Sequence, residues 1–166
     1  MYDLAEHIAE TLDIGPGTRV FEVDCGDGAF LRPLHQNGYI VGGIDGDADA
    51  IQKAMAAMPD GLFQVGIASA LDPATPWDVV VCRSFGRAVL SAVAQAEADY
   101  MRGLLARMFA KATHAIALLN VADDRRTWML RALTEVGANA IQFEGVSPRT
   151  GDEATERFNV FARIAG

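Results

Sequence analysis

Cysteine is scarce in this chain of 166 residues: Cys25 and Cys82 are the only two. Two isolated thiols exclude a disulfide framework and a Cys-x-x-Cys metal or redox motif, and they predict buried free cysteines. If they end neighbouring strands they stand side by side, which leaves an opening for oxidation. Histidine is almost as sparse. His7, His35 and His114 have no ligand spacing to one another or to a cysteine, so no metal site is expected. No apolar run reaches membrane-spanning length, and Met1-Tyr2-Asp3-Leu4-Ala5-Glu6 has neither the basic nor the apolar region of a secretion signal. A soluble, cytoplasmic protein is therefore expected. Positive charge is also in the minority, with 14 basic against 22 acidic residues and a net charge of -8. Such a field repels nucleic acid and acidic membrane surfaces, so neither is expected as a partner.

What is present suits one globular domain over residues 1–166, with 51% hydrophobic residues to fill a core. Leu4, Ile8 and Leu12 recur at helical spacing and predict a short amphipathic helix beside the functional cleft. It stops at Gly15-Pro16-Gly17, so residues 1–18 read as a helix and linker, and residues 19–166 as the core. From Arg19 onward, β-rich apolar runs near 19–25, 40–45, 62–67, 78–83, 114–121, 138–146 and 158–164 alternate with helical patterns. That alternation predicts a doubly wound α/β sheet of seven strands with helices on both faces.

The helices are read from their apolar faces. Phe30, Leu31 and Leu34 make one face before Gly38. Ala50, Ile51, Ala54, Met55 and Met58 make another before Pro59, with Asp47 as its N-cap. A longer helix near 88–111 turns Val93, Tyr100, Leu104, Met108 and Phe109 inward, and one near 124–136 uses Trp128, Leu133 and Val136. The segment 147–157 is too short for the crossover helix that parallel neighbours need, so the last two strands pair antiparallel.

The densest signal is Val20-Phe21-Glu22-Val23-Asp24-Cys25-Gly26-Asp27-Gly28 followed by Gly43-Ile44-Asp45: a strand, a glycine turn, a helix and a second strand ending in a carboxylate. Gly26 and Gly28 let a ligand approach the backbone where free amides at a helix start favour negative charge. The Asp45 carboxylate suits a ribose diol. A nicotinamide or flavin dinucleotide fingerprint, Gly-x-Gly-x-x-Gly, would place glycine where this chain has Asp24 and Ala29, and so fits poorly.

The pattern resembles the class I S-adenosylmethionine-dependent methyltransferase family, whose first motif is acidic-x-Gly-x-Gly-x-Gly. Glu22 matches the acidic position, Gly26 and Gly28 the second and third glycines, and Asp45 the ribose-binding acid. The resemblance covers nearly the whole chain. It implies a Rossmann-like, mostly parallel sheet in the order 3-2-1-4-5-7-6 with the last strand antiparallel, S-adenosylmethionine as cofactor and S-adenosylhomocysteine as product. It also implies a cofactor site made of Glu22, Asp24, Cys25, Gly26, Gly28, Asp45, Gly46, Ile67 and Ala68. Two positions depart from the family. Asp24 stands at the first glycine, and Ile67 stands where an acid would meet the adenine amino group, leaving adenine to pack on Ile44 and Ile67.

Substrate contacts are expected beyond the fourth and fifth strands, since ligands sit outside the carboxyl ends of parallel strands. Arg83 and Asn120 are the candidates there, while no catalytic base is assigned. Only the first helix and the polar 147–157 segment are available as a cover. An open site of this kind suits a small-molecule or carrier-bound acceptor, or a homodimer or protein partner that completes it. The rival expectation is a methyltransferase-like binding or regulatory subunit without catalysis.

Overall fold

The computed structural model describes residues 4–83, 85, 94–122, 125–146 and 157–164. In chain order these form α1 (Leu4–Leu12), β1 (Arg19–Val23), α2 (Leu31–Gln36), β2 (Ile40–Asp45), α3 (Ala48–Ala57), β3 (Leu62–Val65), β4 (Trp77–Cys82), α4 (Ala94–Lys111), β5 (Ala112–Ala122), α5 (Arg126–Glu135), β6 (Ala138–Val146) and β7 (Arg157–Ile164), with a 3-10 turn at Ala68–Ala70. The seven strands form one sheet in the order β3-β2-β1-β4-β5-β7-β6. β1 to β5 are parallel neighbours, and β7 runs antiparallel to both β5 and β6. The expected architecture is therefore present, including its antiparallel end.

Alternation of side chains along the strands divides the core in two. On one face Val20, Val41, Val79, Val81, Ala115 and Ala117 pack against Ile8 and Leu12 of α1, Leu31 and Leu34 of α2, and Ile51 and Ala54 of α3. On the other, Phe21, Val23, Val80, Cys82, Ile116 and Leu118 meet Leu104, Leu105 and Met108 of α4 and Met129 and Leu133 of α5. β4 lies between the two layers, which is why Val79 to Cys82 reads as an unbroken apolar run. Each fully buried Leu, Val or Met contributes roughly 1.5–3 kcal/mol.

The crossover from β3 to β4 carries no α-helix, only the 3-10 turn and a coil. It is strapped down by Lys111, whose Nζ donates to the carbonyls of Asp72 (2.7 Å) and Thr75 (3.0 Å) and lies 4.8 Å from the Phe21 ring centre. Trp77 packs against Phe21 with ring centres 5.2 Å apart and reaches as far as β2. A Cβ at Gly42 would meet its ring at 2.6 Å, so a side-chain-free position in β2 makes room for the indole.

Several expectations need correction. Met55 is 49% exposed, because Ile51, Ala54 and Met58 define the buried stripe of α3 and Met55 lies a step around it. Cys25 and Cys82 are both free and buried, but they belong to opposite core layers and are not neighbours across one face. Helix α4 is described from Ala94, so the expected stretch 88–93, Val93 included, lies outside the described residues, as do 123–124 and 147–156. Asp47 does cap α3, accepting from the amides of Asp49 (2.9 Å) and Ala50 (3.2 Å). Among the described residues no helix is long and apolar enough to cross a membrane.

Candidate functional site

Register brings three strand ends together: Val23 of β1 lies beside Ile44 of β2 and Cys82 of β4. The chain leaving β1 turns sharply there, with Asp24, Gly26 and Gly28 all at positive φ (56°, 55° and 74°). Aspartate tolerates the left-handed region better than most residues, which is how Asp24 takes a position where glycine would be unstrained. The Cys25 amide donates to the Ile44 carbonyl (3.1 Å), carrying the β1–β2 pairing one step past the strand. The Gly28 amide then donates to the Cys25 carbonyl (3.1 Å) and the Arg32 amide to the Gly28 carbonyl (2.9 Å), which closes the turn into α2.

Asp45 locks this turn to the next one. Its Oδ2 accepts from the Gly26 amide (2.7 Å) and its Oδ1 from the Asp47 amide (2.9 Å). A carboxylate has about four lone-pair sites, so two such bonds leave acceptor capacity for a ligand.

The two glycines serve different ends. A Cβ at Gly26 would meet nothing within 4 Å, whereas one at Gly28 would meet Met58 Cε at 2.5 Å and Ala54 Cβ at 3.4 Å. Gly26 therefore borders open space, and Gly28 lets α3 close on the turn. Cys25 packs over a third glycine, since a Cβ at Gly43 would meet its Sγ at 2.6 Å. Burial first, then the nearby Glu22 and Asp45 carboxylates, push the Cys25 thiol up to about 12, which favours the protonated form.

Glu22 is wholly buried at the end of β1 and pairs through Oε1 with the Arg83 guanidinium just past β4. Its Oε2 is buried with no hydrogen-bond partner among the described residues. Burial pushes its pKa up to about 8; the Arg83 charge and hydrogen bond oppose that shift, and Asp24 and Asp45 add to it. The Arg83 guanidinium also lies 5.3 Å from the Phe30 ring centre, so it bridges the end of β4 and the start of α2.

At the end of β3, Ile67 is 63% exposed while Ala68 is buried. A Cβ at the neighbouring Gly46 would come within 3.9 Å of the Ile67 side chain, which places both on one ledge. Ile44 does not share it. That side chain is buried beneath Gly66, whose Cβ would meet it at 2.9 Å, so the expected pair of adenine-packing isoleucines reduces to Ile67.

Asn120 is not in a loop after β5 but inside it, at an irregularity in the β5–β7 pairing between Leu118 and Val121. Its φ is 61°, and its amide donates to Asn159 Oδ1 (3.0 Å). Nothing in the sequence marked this bulge. Tyr100 of α4 was read as a core residue. It is half-buried, and its hydroxyl is raised first by burial and then by the charges of Asp24 and Cys82, which ties it to the ends of β1 and β4. Glu22, Asp24, Cys25, Gly26, Asp45, Gly46 and Arg83 thus converge at one edge of the sheet, with Ile67 and Ala68 alongside, while Gly28 faces α3 and Asn120 lies two strands from β1.

No family model matches the chain, and no curated protein matches it in sequence. Solved structures do. Magnesium protoporphyrin IX methyltransferase from Synechocystis PCC 6803, with bound SAM, superposes with a TM-score of 0.76 at 17% identity over 97% of this chain and 78% of its own. A TehB-like SAM-dependent methyltransferase from Corynebacterium glutamicum gives 0.72 at 18% identity over 99% and 89%. The glycopeptide N-methyltransferase MtfA, complexed with sinefungin, gives 0.73 at 14% over 98% and 85%. The chain has the class I SAM-dependent methyltransferase fold, at identities too low to carry more than the fold.

Proposed function

We propose that the chain is an S-adenosylmethionine-dependent methyltransferase acting on a small-molecule or carrier-bound acceptor. The observation that carries this reading is the open space above Gly26, directly beside the Asp45 carboxylate that anchors the same turn. The residues present fit the cofactor. Bare backbone at Gly26 suits its amino-acid end, the spare acceptor capacity of Asp45 suits a ribose diol, and exposed Ile67 beside Gly46 gives adenine an apolar ledge. Loss of the acid usual at the Ile67 position removes one neutral hydrogen bond, worth about 0.5–1.5 kcal/mol, which weakens binding several-fold without abolishing it. Two of the structures of similar fold were solved with SAM or with sinefungin, which supports the assignment by analogy.

The cofactor, when bound, supplies a methyl group on an activated sulfonium leaving group. This chain's part is placement: the Asp24–Gly28 turn and Asp45 fix the donor, and alignment and exclusion of water provide the acceleration. No base is assigned.

Isothermal titration calorimetry with S-adenosylhomocysteine tests the reading. Saturable heat that disappears in Asp45→Ala supports it; no heat and no thermal shift at millimolar ligand rejects it. One observation favours a binding subunit without catalysis, namely the Asp24 side chain at the position of a family glycine. Asp24→Gly then tightens ligand binding, and an unchanged affinity removes the case for obstruction.

A further inference from the structure

The turn after β1 sits in a negative field: Asp24 and Asp27 lie within it, and Asp45 and Asp47 stand where β2 ends beside it. S-Adenosylmethionine and its demethylated product both end in an amino acid, so a ligand carboxylate has to be accommodated among these acids. Arg83 touches both ends of the turn. It donates through Nε to Glu22 of β1, just before the turn, and its guanidinium lies 5.3 Å from the ring centre of Phe30, just after it. Register puts it there, because Val23 lies beside Cys82 and the chain leaves both strands at the next residue. Asp45 thus stands on the β2 side of the turn and Arg83 on its β4 side. Glu22 engages only Nε; among the described residues the two Nη groups have no hydrogen-bond partner, and the Arg83 side chain is partly exposed where Glu22 is wholly buried. Burial raises Glu22 to about 8, so at neutral pH it leaves the charge of Arg83 uncancelled.

Resting on the methyltransferase reading, we propose that the Nη groups of Arg83 bind the carboxylate of the cofactor's amino-acid end and make the site specific for adenosyl ligands that carry that acid. The donor then lies across β1, with its ribose at Asp45 and its carboxylate at Arg83. A guanidinium fork matches a carboxylate in geometry, and Glu22 and Phe30 hold this one in place from either side of the turn. Asp24 favours the same placement, since its charge at the end of β1 repels a ligand carboxylate and drives it toward β4. Arg83 is thereby assigned to the methyl donor and not to the acceptor, and its charge offsets the acid that stands at position 24.

Calorimetry on the full chain compares three ligands: S-adenosylhomocysteine; its carboxamide, which keeps the ammonium and lacks the acid; and methylthioadenosine, which lacks the amino acid altogether. Wild type is set against Arg83→Gln, whose amide still offers Glu22 a partner, at about pH 6.5, where Glu22 holds its proton. Wild type should prefer S-adenosylhomocysteine to the carboxamide by roughly tenfold, and the variant should lose that preference. Both proteins should bind methylthioadenosine equally, which also reports that the variant is folded around an intact nucleoside site. A preference that survives in Arg83→Gln, or none in wild type, overturns the proposal and leaves the methyltransferase reading standing. An equal loss for all three ligands in the variant also overturns it, since Arg83 would then only support the turn. Failure of wild type to bind any of the three sinks the methyltransferase reading and this assignment with it.

Discussion

Glu22 and Arg83 close the ends of adjacent strands with an ion pair in which the carboxylate is wholly buried and the guanidinium is 37% exposed. The arrangement is unequal, because the buried partner carries nearly all the desolvation cost. Glu22 is consequently raised from 4.5 to about 8. The native state holds its proton across a pH range in which the unfolded chain has released it, so this group's contribution to stability is full at the acid end and declines as pH rises through that range. The effect is on the order of a few kcal/mol. Urea midpoints of wild type and Glu22→Gln should diverge between pH 5 and 8, with the variant gaining relative to wild type as pH increases. Parallel profiles would refute the raised value.

Arg83→Met probes the same pair from the other side. Removing the only cation bonded to Glu22 among the described residues takes away the charge that opposes the upward shift, so the Glu22 pKa rises further and the group keeps its proton. The loss should therefore be larger at pH 8.5, where only wild type has begun to ionise, than at pH 5, where Glu22 is neutral in both proteins, by about 1 kcal/mol. Equal losses at both values would show that Arg83 acts through packing on Phe30 alone.

Gly26→Ala and Gly28→Ala should separate binding from folding. Both positions have positive φ, so each variant carries backbone strain of about 1 kcal/mol. At Gly28 the new methyl also meets the Met58 Cε, the end of a flexible side chain that has to shift, so its main effect falls on stability. At Gly26 it enters open space, so the main effect falls on ligand affinity. Thermal melts and calorimetry with S-adenosylhomocysteine measure both. A Gly26→Ala protein that binds as wild type does would disconnect that space from the ligand.

Much of this was legible in the sequence. Alternating apolar runs disclosed the seven strands because buried parallel strands have little room for polar residues, and the shortness of the 147–157 segment disclosed the antiparallel end. The glycine turn and Asp45 stood out because few residue types tolerate those backbone angles. Other relationships depended on distance along the chain. Glu22 meets Arg83 and Lys111 meets the 72–75 carbonyls only after the sheet forms, and neither pair has a spacing to read. The bulge at Asn120 was invisible for a similar reason, since Asn159 across the β5–β7 pairing bonds its amide. Gly28 reads in two ways. Its place in the motif suggested ligand approach, and its φ of 74° with Ala54 and Met58 alongside also suits a glycine packed beneath α3.

Lys111 gives a final test, aimed at the one crossover without an α-helix. It is buried, and burial lowers its pKa from the usual lysine value, with the Asp72 charge opposing. Its ammonium nevertheless satisfies the carbonyls of Asp72 and Thr75, and its charge rests against Phe21. Lys111→Met keeps most of the apolar stem and deletes both bonds, so two carbonyls of the 71–76 segment lose their donor. Leaving buried acceptors unsatisfied costs about 1–3 kcal/mol. Because the segment has no helix to hold it, that loss should surface first as local opening and only second as global unfolding. Hydrogen exchange should therefore accelerate at residues 68–76 by more than it does in β4 or β5. A uniform acceleration across the sheet would mean that Lys111 supports the whole core and does not act as a local strap.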